Sequence, residues 1–291
     1  MTAARFDPAS LQFFLGGRDL EMVTIRELVE QVRPGTCHDR GLGWGARASV
    51  YREQILATLA RRQTPVLVEL EPDLDLACVR ATEAEATRSI VGDGRTLILV
   101  DHHGAAAGSD RPTALHQVFQ LLGCPPTAWT RRMELVAAND RGYLPALADA
   151  GATAEEMRAI RRDDRAAQGI APEEEAAAEE AVRHREVRAG GALTVLRLPT
   201  DRMTAATDRM EPLLGGPGYR NLLCAGPAEV GFFGAGRWIS ELDRRFPGGW
   251  RGGALPVRGF WGHPIPPGPA EVTAAIEEAM AQDPPSAVTG A

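Results

Sequence analysis

The sequence predicts an α/β fold in which a parallel sheet organises the N-terminal half. Apolar strand-like runs alternate with helical apolar spacing along this half of the 291-residue chain, which is typical of parallel strands joined by crossover helices. Leu97 to Val100 is a continuous apolar run bounded by Gly94 and Gly104. A run without polar alternation indicates a strand that is covered on both faces, as the strands of parallel sheets are.

Three polar residues, Asp101, His102 and His103, follow this strand directly. In open α/β sheets the ligand crevice lies beyond the carboxyl ends of the parallel strands. An acid and two imidazoles at this position therefore indicate a functional site. The residues alone leave an alternative open, in which Asp101 caps the next helix and the two histidines are ordinary loop residues.

The first elements are a strand, a glycine turn and a helix. Residues 11–15 are predicted as the strand, Gly16-Gly17 as the turn, and 18–32 as a helix with apolar residues at helical spacing. Asp19 and Glu21 stand at the start of this helix. Paired acids at a helix start either bind a ligand or only complement the helix dipole.

A second junction between a strand and acids follows. The segment that starts at Cys37-His38-Asp39 is predicted as a glycine-rich loop, in which His38 is a ligand or, the favoured alternative, an exposed residue. A helix is predicted at 46–61 and a strand at 65–70, with acids at its end: Glu69, Glu71, Asp73 and Asp75. Further predicted elements are a helix at 77–90, a strand at 95–100, and helices at 111–122 and 130–138, the last leading into Asn139-Asp140-Arg141-Gly142-Tyr143.

Composition divides the chain into a first domain at 1–150, a helical linker at 151–190 rich in Glu, Ala and Arg, and a smaller α/β domain at 191–291. The linker is predicted as solvated helices broken at 169–172. The second domain is predicted to contain strands at 192–198, 221–225, 229–233 and 255–260, helices at 202–214, 238–246 and 270–280, and a proline-rich tail. A glycine-rich loop with the sequence GGWRGGA is predicted at 248–254.

Composition also excludes several classes of function. The four cysteines are isolated, without a Cys-x-x-Cys pair, so they are expected to be reduced thiols in a cytoplasmic protein without a structural zinc site. We expect no signal segment and no membrane contact, because no apolar run approaches the roughly 18 residues of a membrane span. A formal charge of −7 argues against binding of long duplex nucleic acid, which requires a broad basic face.

Taken in order, the segments that carry acids resemble the motifs of the DHH phosphoesterase superfamily, which includes RecJ-type exonucleases, family II pyrophosphatases and nanoRNase/pAp phosphatases. Asp101-His102-His103 is similar to the motif that names the family, and the segment around Asp140 to its fourth motif. The first motif, His-x-x-x-Asp-x-Asp, resembles the segment that ends in Asp19-Leu20-Glu21. Glu69 or Glu71 stands in the position of the second-motif acid. GGWRGGA is similar to a glycine-rich signature of the family's C-terminal domain.

This resemblance covers nearly the whole chain and implies a DHH-type N-terminal domain, a smaller C-terminal domain and a cleft between them. It implies that one or two Mn²⁺ (or Mg²⁺) ions are held by Asp19, Glu21, Glu69, Asp101, His102 and Asp140. Asp101, His102 and His103 would be the catalytic residues, with His103 near the scissile phosphate. The implied substrate-binding residues are Arg18, Gly248, Gly249, Trp250, Arg251, Gly252 and Gly253. The implied partner is a small nucleotide or a short single-stranded oligonucleotide, and a homodimer is left open.

The chemistry of phosphate-ester hydrolysis supports such a site independently. Two divalent ions about 4 Å apart offset the repulsion between an anionic nucleophile and an anionic substrate. Ligation by carboxylate and imidazole without thiolate suits Mn²⁺ or Mg²⁺, and the imidazole favours Mn²⁺.

The chain also departs from the family pattern. Leu15 stands where the family has the histidine of the first motif, Glu21 replaces the second Asp of that motif, and the second-motif acid is Glu rather than Asp. Trp250 and Arg251 lie near the position of the family's C-terminal histidine, where they could stack on a base and pair with a phosphate or simply pack. The sequence therefore predicts a metal-dependent phosphoesterase. The alternative is a catalytically degenerate relative that binds a nucleotide or a protein partner.

Overall fold

The computed structural model describes residues 8–73, 80–81, 88–91, 95–102, 112–253 and 255–282. The chain forms two compact units. One unit comprises Met1–Ala152 with Arg162–Gln168, and the other comprises Thr153–Arg161 with Gly169–Ala291. No helix within the described ranges has both the length and the apolar character that crossing a membrane requires. Cys37, Cys124 and Cys224 are free thiols, and Cys78 lies outside the described residues.

The first unit contains a six-stranded sheet with the strand order β2-β1-β3-β6-β5-β4. Its strands are β1 (Leu11–Leu15), β2 (Cys37–His38), β3 (Thr64–Val68), β4 (Arg80–Ala81), β5 (Arg88–Val91) and β6 (Arg95–Val100). Strands β2, β1, β3 and β6 are parallel, while β5 and β4 are added at one edge in antiparallel orientation. The predicted α/β fold with a parallel N-terminal sheet is confirmed.

Helices cover this sheet because the parallel strands have no polar face. The helices that pack on the sheet are α1 (Leu20–Val32), α2 (Arg52–Ala60) and α3 (Ala114–Leu121). Helix α4 (Arg131–Asp149) packs on α1 and α3, and the residues of α5 (Ala154–Ala167) are divided between the two units. Phe14, Leu67 and Leu97 of the sheet are fully or almost fully buried and pack with Tyr51 and Ile55. Burial of both faces explains the uninterrupted apolar run in β6.

The second unit contains a mixed six-stranded sheet with the order β11-β12-β10-β9-β8-β7. Its strands are β7 (Glu186–Arg188), β8 (Leu193–Arg197), β9 (Leu222–Ala225), β10 (Glu229–Ala235), β11 (Trp250–Gly252) and β12 (Arg258–Pro264). Its helices are α6 (Pro172–Arg183), α7 (Thr204–Met210), α8 (Gly236–Arg245) and α9 (Pro269–Gln282). Phe232, Trp261, Ile239 and Ile276 form the centre of a core between this sheet and the helices α8 and α9.

Two predicted elements of the first unit are wrong. The helix expected at 77–90 is not formed in the described part of that range, which contains β4 and β5. Pairing of β5 with β6 overrides the helix propensity of this Ala- and Glu-rich segment. The loop expected from Cys37 begins instead with strand β2, and His38 is half-buried. Its ring stacks on Phe14 with centroids 4.5 Å apart, so His38 is not an exposed loop residue.

The predicted glycine-rich loop at 248–254 is also wrong, because Trp250–Gly252 form strand β11. This strand pairs with β12, which begins at Arg258, three residues later than predicted. The glycines allow two aromatic rings to lie against the sheet. A Cβ on Gly262 would lie 2.4 Å from the ring of Trp250, and one on Gly252 would lie 2.6 Å from the ring of Phe260. Each ring therefore covers a glycine of the neighbouring strand.

Candidate metal centre

Four polar side chains converge at the carboxyl edge of the parallel sheet. Glu21, Glu69, His102 and Asp140 each contribute one ligand atom, and these four atoms lie within 4.8 Å of one another. The Nε2 atom of His102 lies 2.5 Å from Oδ2 of Asp140, 3.3 Å from Oε1 of Glu69 and 3.6 Å from Oε2 of Glu21. We call these four residues the metal cluster.

The sheet itself brings Glu69 and His102 together. Strands β3 and β6 are parallel neighbours, with Val68 opposite Val100, and Glu69 N donates to Val100 O at 2.8 Å. Glu69 follows β3 directly and His102 follows β6 after one residue. Because parallel strands end at the same edge of a sheet, the two side chains meet there.

Glu21 reaches the metal cluster from the first turn of α1. Its Oε1 accepts a hydrogen bond from Leu115 N at 3.0 Å, at the start of α3. Burial opposes ionisation of Glu21, but its interactions with His102 and Thr113 outweigh it and lower the pKa of the carboxyl. Glu21 is therefore ionised, and the extra methylene relative to the family's Asp does not prevent it from reaching the cluster.

Asp19 lies beside the metal cluster but is not one of its four members. It is the N-cap of α1, where its Oδ1 accepts a hydrogen bond from Met22 N at 2.8 Å. Burial, together with the charges of Asp140 and Glu69, raises the pKa of Asp19 well above its usual value. The structure thus gives Asp19 a capping contact that fixes the start of the helix carrying Glu21.

A second buried acid, which sequence reasoning missed, supports the same helix end. Oδ1 of Asp164 accepts from Leu20 N at 3.1 Å, and its Oδ2 accepts from Gln168 Nε2 at 2.9 Å. Asp164 is only 4% exposed, whereas its segment was predicted as a solvated linker helix. Its position in a run of charged residues gave no local signal of burial.

Asp140 and His102 hold protons that a bound cation would have to displace. Burial and the charge of Glu21 raise the pKa of Asp140 to about 7. Burial works to lower the pKa of His102, but the neighbouring carboxyl groups of Asp140, Glu21 and Glu69 outweigh it and raise the pKa to about 12. One imidazole nitrogen therefore lies among three carboxyl groups.

This donor set fits a hard divalent cation. Three carboxylates and one imidazole, without a thiolate, suit Mn²⁺ or Mg²⁺, and Mn²⁺ accepts the imidazole more readily. A single Nε2–H points to only one acceptor at a time, so the proton of His102 cannot satisfy the three surrounding oxygen atoms equally. A dication interacts with all of them and offsets their mutual repulsion.

Affinity for Mn²⁺ is expected to rise with pH. A cation that binds to these atoms displaces the proton of His102 at any pH below about 12 and that of Asp140 below about 7. Each released proton makes the affinity rise about tenfold per pH unit. Two protons are released well below pH 7, so the affinity rises about 100-fold per pH unit there, and one is released above pH 7, so it rises about tenfold per pH unit. Calorimetric titration from pH 5.5 to 8.5 measures this dependence, and an affinity that is flat over this range would contradict it.

Glu69 has a strained backbone, with φ at +50°. Any residue with a Cβ is destabilised by about 1–2 kcal/mol in the left-handed region. Glycine avoids this strain but destabilises the folded state by only about 0.4–1 kcal/mol relative to alanine, because it makes the unfolded chain more flexible. Glu69→Gly is therefore expected to be about 0.5–1 kcal/mol more stable than Glu69→Ala in urea unfolding with EDTA. At Glu71, where φ is not positive, the alanine variant should be the more stable one. If the alanine variant is the more stable one at position 69 as well, the backbone of Glu69 is not strained.

The remaining residues predicted for this site lie elsewhere or outside the described ranges. Asp101 is half-buried, its backbone oxygen accepts from Gln117 Nε2 at 3.2 Å, and it is not among the four cluster members. Glu71 is largely exposed and pairs with Arg47 at 3.4 Å, so Glu69 is the acid that joins the cluster. His103 lies outside the described residues.

Two further positions concern the first motif. Arg18 is exposed, directly before the helix cap. Leu15 is fully buried in β1, and its backbone oxygen accepts a hydrogen bond from the Tyr51 hydroxyl at 3.1 Å. At Leu15 the chain therefore places core packing where the family pattern has a ligand.

The predicted substrate-binding residues of the C-terminal segment all belong to the second unit. Gly248 and Gly249 precede β11, Trp250–Gly252 form it, and Gly253 follows it. Arg251 forms an ion pair with Asp243 of α8 at 3.3 Å. Adjacent residues of a strand point to opposite faces, so the side chains of Trp250 and Arg251 do not lie on the same face. A role of this segment in substrate binding stays a prediction.

The solved structures to which the chain is similar include three with known names. The chain is similar to RecJ from Thermus thermophilus in complex with Mn²⁺ (11% identity, TM-score 0.48, 94% of this chain and 52% of that chain). It is also similar to an exonuclease RecJ bound to manganese (13% identity, TM-score 0.44, 94% of this chain and 91% of that chain). A third similar structure is the pGpG-specific phosphodiesterase PggH from Vibrio cholerae (11% identity, TM-score 0.39, 94% of this chain and 99% of that chain). The chain thus spans about half the length of the Thermus protein.

No protein-family model and no curated protein matches the chain. Two of the three structures are RecJ proteins. All three TM-scores are below 0.5, so the function proposed below rests on the residues of the metal cluster and not on these likenesses.

Proposed function

We propose that this protein is a divalent-metal-dependent phosphoesterase that hydrolyses a small nucleotide or a short single-stranded oligonucleotide. The observation that carries the proposal is the convergence of Glu21, Glu69, His102 and Asp140 at the carboxyl edge of the sheet, with ligand atoms within 4.8 Å. These residues would hold Mn²⁺ in preference to Mg²⁺. When bound, such an ion polarises a phosphoryl oxygen and lowers the pKa of a coordinated water towards neutrality.

The residues of the chain prepare this site in three ways. Glu21 is held in position by the hydrogen bond from Leu115 N. Asp19 and Asp164 fix the first turn of α1 through hydrogen bonds to two of its backbone N–H groups. His103 follows His102 directly, and we propose that it contacts the scissile phosphate. The formal charge of −7 favours a short substrate, because long nucleic acids require an extended basic surface.

The proposal is tested by incubating the purified protein with Mn²⁺ and a panel of phosphate esters. The panel contains a linear dinucleotide, a cyclic dinucleotide, pAp and a short oligonucleotide, and the released mononucleotide or phosphate is measured. Hydrolysis of at least one of them, abolished by EDTA and restored by Mn²⁺, is the expected result. Binding without hydrolysis would overturn the catalytic proposal in favour of a degenerate nucleotide-binding protein.

A further inference from the structure

A glycine-rich loop lies against the turn that leads into α1. Arg18 N donates to Leu42 O at 2.8 Å, and Gly17 and Leu42 form an isolated parallel bridge. A Cβ on Gly17 would lie 3.0 Å from the Cα of Trp44. The backbone of Trp44 is therefore seated on Gly17, two residues before Asp19, the cap of the helix that carries Glu21.

The two apolar side chains of this loop have opposite environments. Leu42 is partly buried and packs against the core of the sheet, which anchors the loop. Trp44 is 67% exposed, and Gly43 and Gly45 on either side of it are exposed as well. The loop thus presents an indole ring to solvent from an anchored backbone.

Arginines stand at both ends of this loop, in a protein that is acidic overall. Residues 40–47 contain Arg40 and Arg47 and no acid. The Arg18 guanidinium approaches the same loop, because its Nη1 lies 4.0 Å from a Cβ placed on Gly41. The positive charge of Arg47 is partly offset by its ion pair with Glu71. The loop that carries Trp44 and the segment that carries Arg18 are therefore neighbours, and an aromatic ring with a guanidinium group can bind a base together with a phosphate.

We propose that Trp44 and Arg18 form a nucleotide subsite next to the metal cluster. The indole of Trp44 stacks on the base, and Arg18 pairs with a phosphate other than the one that is hydrolysed. Arg18 precedes Glu21 by three residues, so their Cα atoms lie at most about 11 Å apart. This inference rests on the proposed function, which places the reacting phosphate at the cluster.

The subsite is tested by calorimetric titration of GMP and of ribose 5-phosphate into the 291-residue chain in the presence of EDTA, where no hydrolysis takes place. Trp44→Ala should weaken GMP binding about 5- to 150-fold, the range measured for base stacking on an aromatic residue, and leave ribose 5-phosphate binding unchanged. Trp44→Phe should retain most of the affinity, and Arg18→Met should weaken binding of both ligands. Leu56→Ala, which removes another exposed apolar side chain of the same unit (42% exposed), serves as the control.

Equal GMP affinity of the wild type and Trp44→Ala, or no GMP binding by the wild type, would overturn the subsite. Its failure differs from failure of the proposed function. If Trp44→Ala loses GMP binding but the wild type hydrolyses none of the phosphate esters, the proposed hydrolase activity is overturned and the subsite is supported. Hydrolysis of a dinucleotide with the same kcat/KM in the wild type and Trp44→Ala overturns the subsite and supports the hydrolase.

Discussion

Glu69→Gln is expected to lower kcat/KM for the hydrolysed nucleotide by about 100-fold or more, while Glu71→Gln leaves it within about twofold of the wild type. The two acids are separated by one residue, yet only Glu69 joins the metal cluster. Glu71 is exposed and pairs with Arg47. The amide of glutamine keeps the size of the side chain but removes the charge that a dication requires.

The measurement is the Mn²⁺-dependent hydrolysis assay, run on both variants at saturating Mn²⁺ and after checking that each variant unfolds at the temperature of the wild type. A loss confined to Glu69→Gln is the expected result. If both variants keep wild-type activity, or if Glu71→Gln is the inactive one, the residues named here do not form the catalytic centre.

Gly16→Ala is expected to destabilise the first unit strongly. A Cβ at this position would lie 2.2 Å from Glu69 O and 2.8 Å from Val68 O. Both are backbone atoms of the neighbouring strand end, so β1 or β3 must move. Overpacking of this kind costs about 1–3 kcal/mol or more, and displacement of the Glu69 backbone should also weaken Mn²⁺ binding.

Urea unfolding in EDTA and calorimetric titration with Mn²⁺ measure the two effects of Gly16→Ala separately. Gly268→Ala is the matched control, because a Cβ there meets nothing within 4 Å, and it should change stability by less than about 0.5 kcal/mol. A Gly16→Ala protein as stable as this control would show that the close approach of Gly16 to Glu69 is not present in solution.

The pattern of apolar residues along the sequence was sufficient to predict the strands that are buried on both faces. β1 and β6 have the predicted bounds, because continuous apolar runs between glycines or polar residues occur in buried parallel strands. β4 and β5 were missed because the pairing of β5 with β6 is a tertiary contact that overrides local propensity. β11 was missed because its stability depends on contacts across the strand pair, where Phe260 covers Gly252 and Trp250 covers Gly262, and a sequence read locally does not show these contacts.

The candidate site also contains residues that the sequence predicted and contacts that it did not. Glu21, Glu69, His102 and Asp140 were all predicted ligands, since strand ends of a parallel sheet meet at one edge and the motif order supplied the rest. The sequence could not distinguish a ligand from a capping residue, so the capping contact of Asp19 with Met22 N was not predicted. Asp164 was missed because its burial depends on the packing of α5 against the start of α1, far away in sequence.

Calorimetric titration of Mn²⁺ into the EDTA-stripped protein tests the metal cluster most directly. The wild type is expected to bind at least one Mn²⁺ per chain in a saturable manner. Asp140→Asn, which keeps the shape of the side chain closest to His102 Nε2, is expected to bind it at least about 100-fold more weakly. A wild type that binds no Mn²⁺, or an Asp140→Asn variant that binds it as tightly as the wild type, would contradict the assignment of this cluster as a metal site.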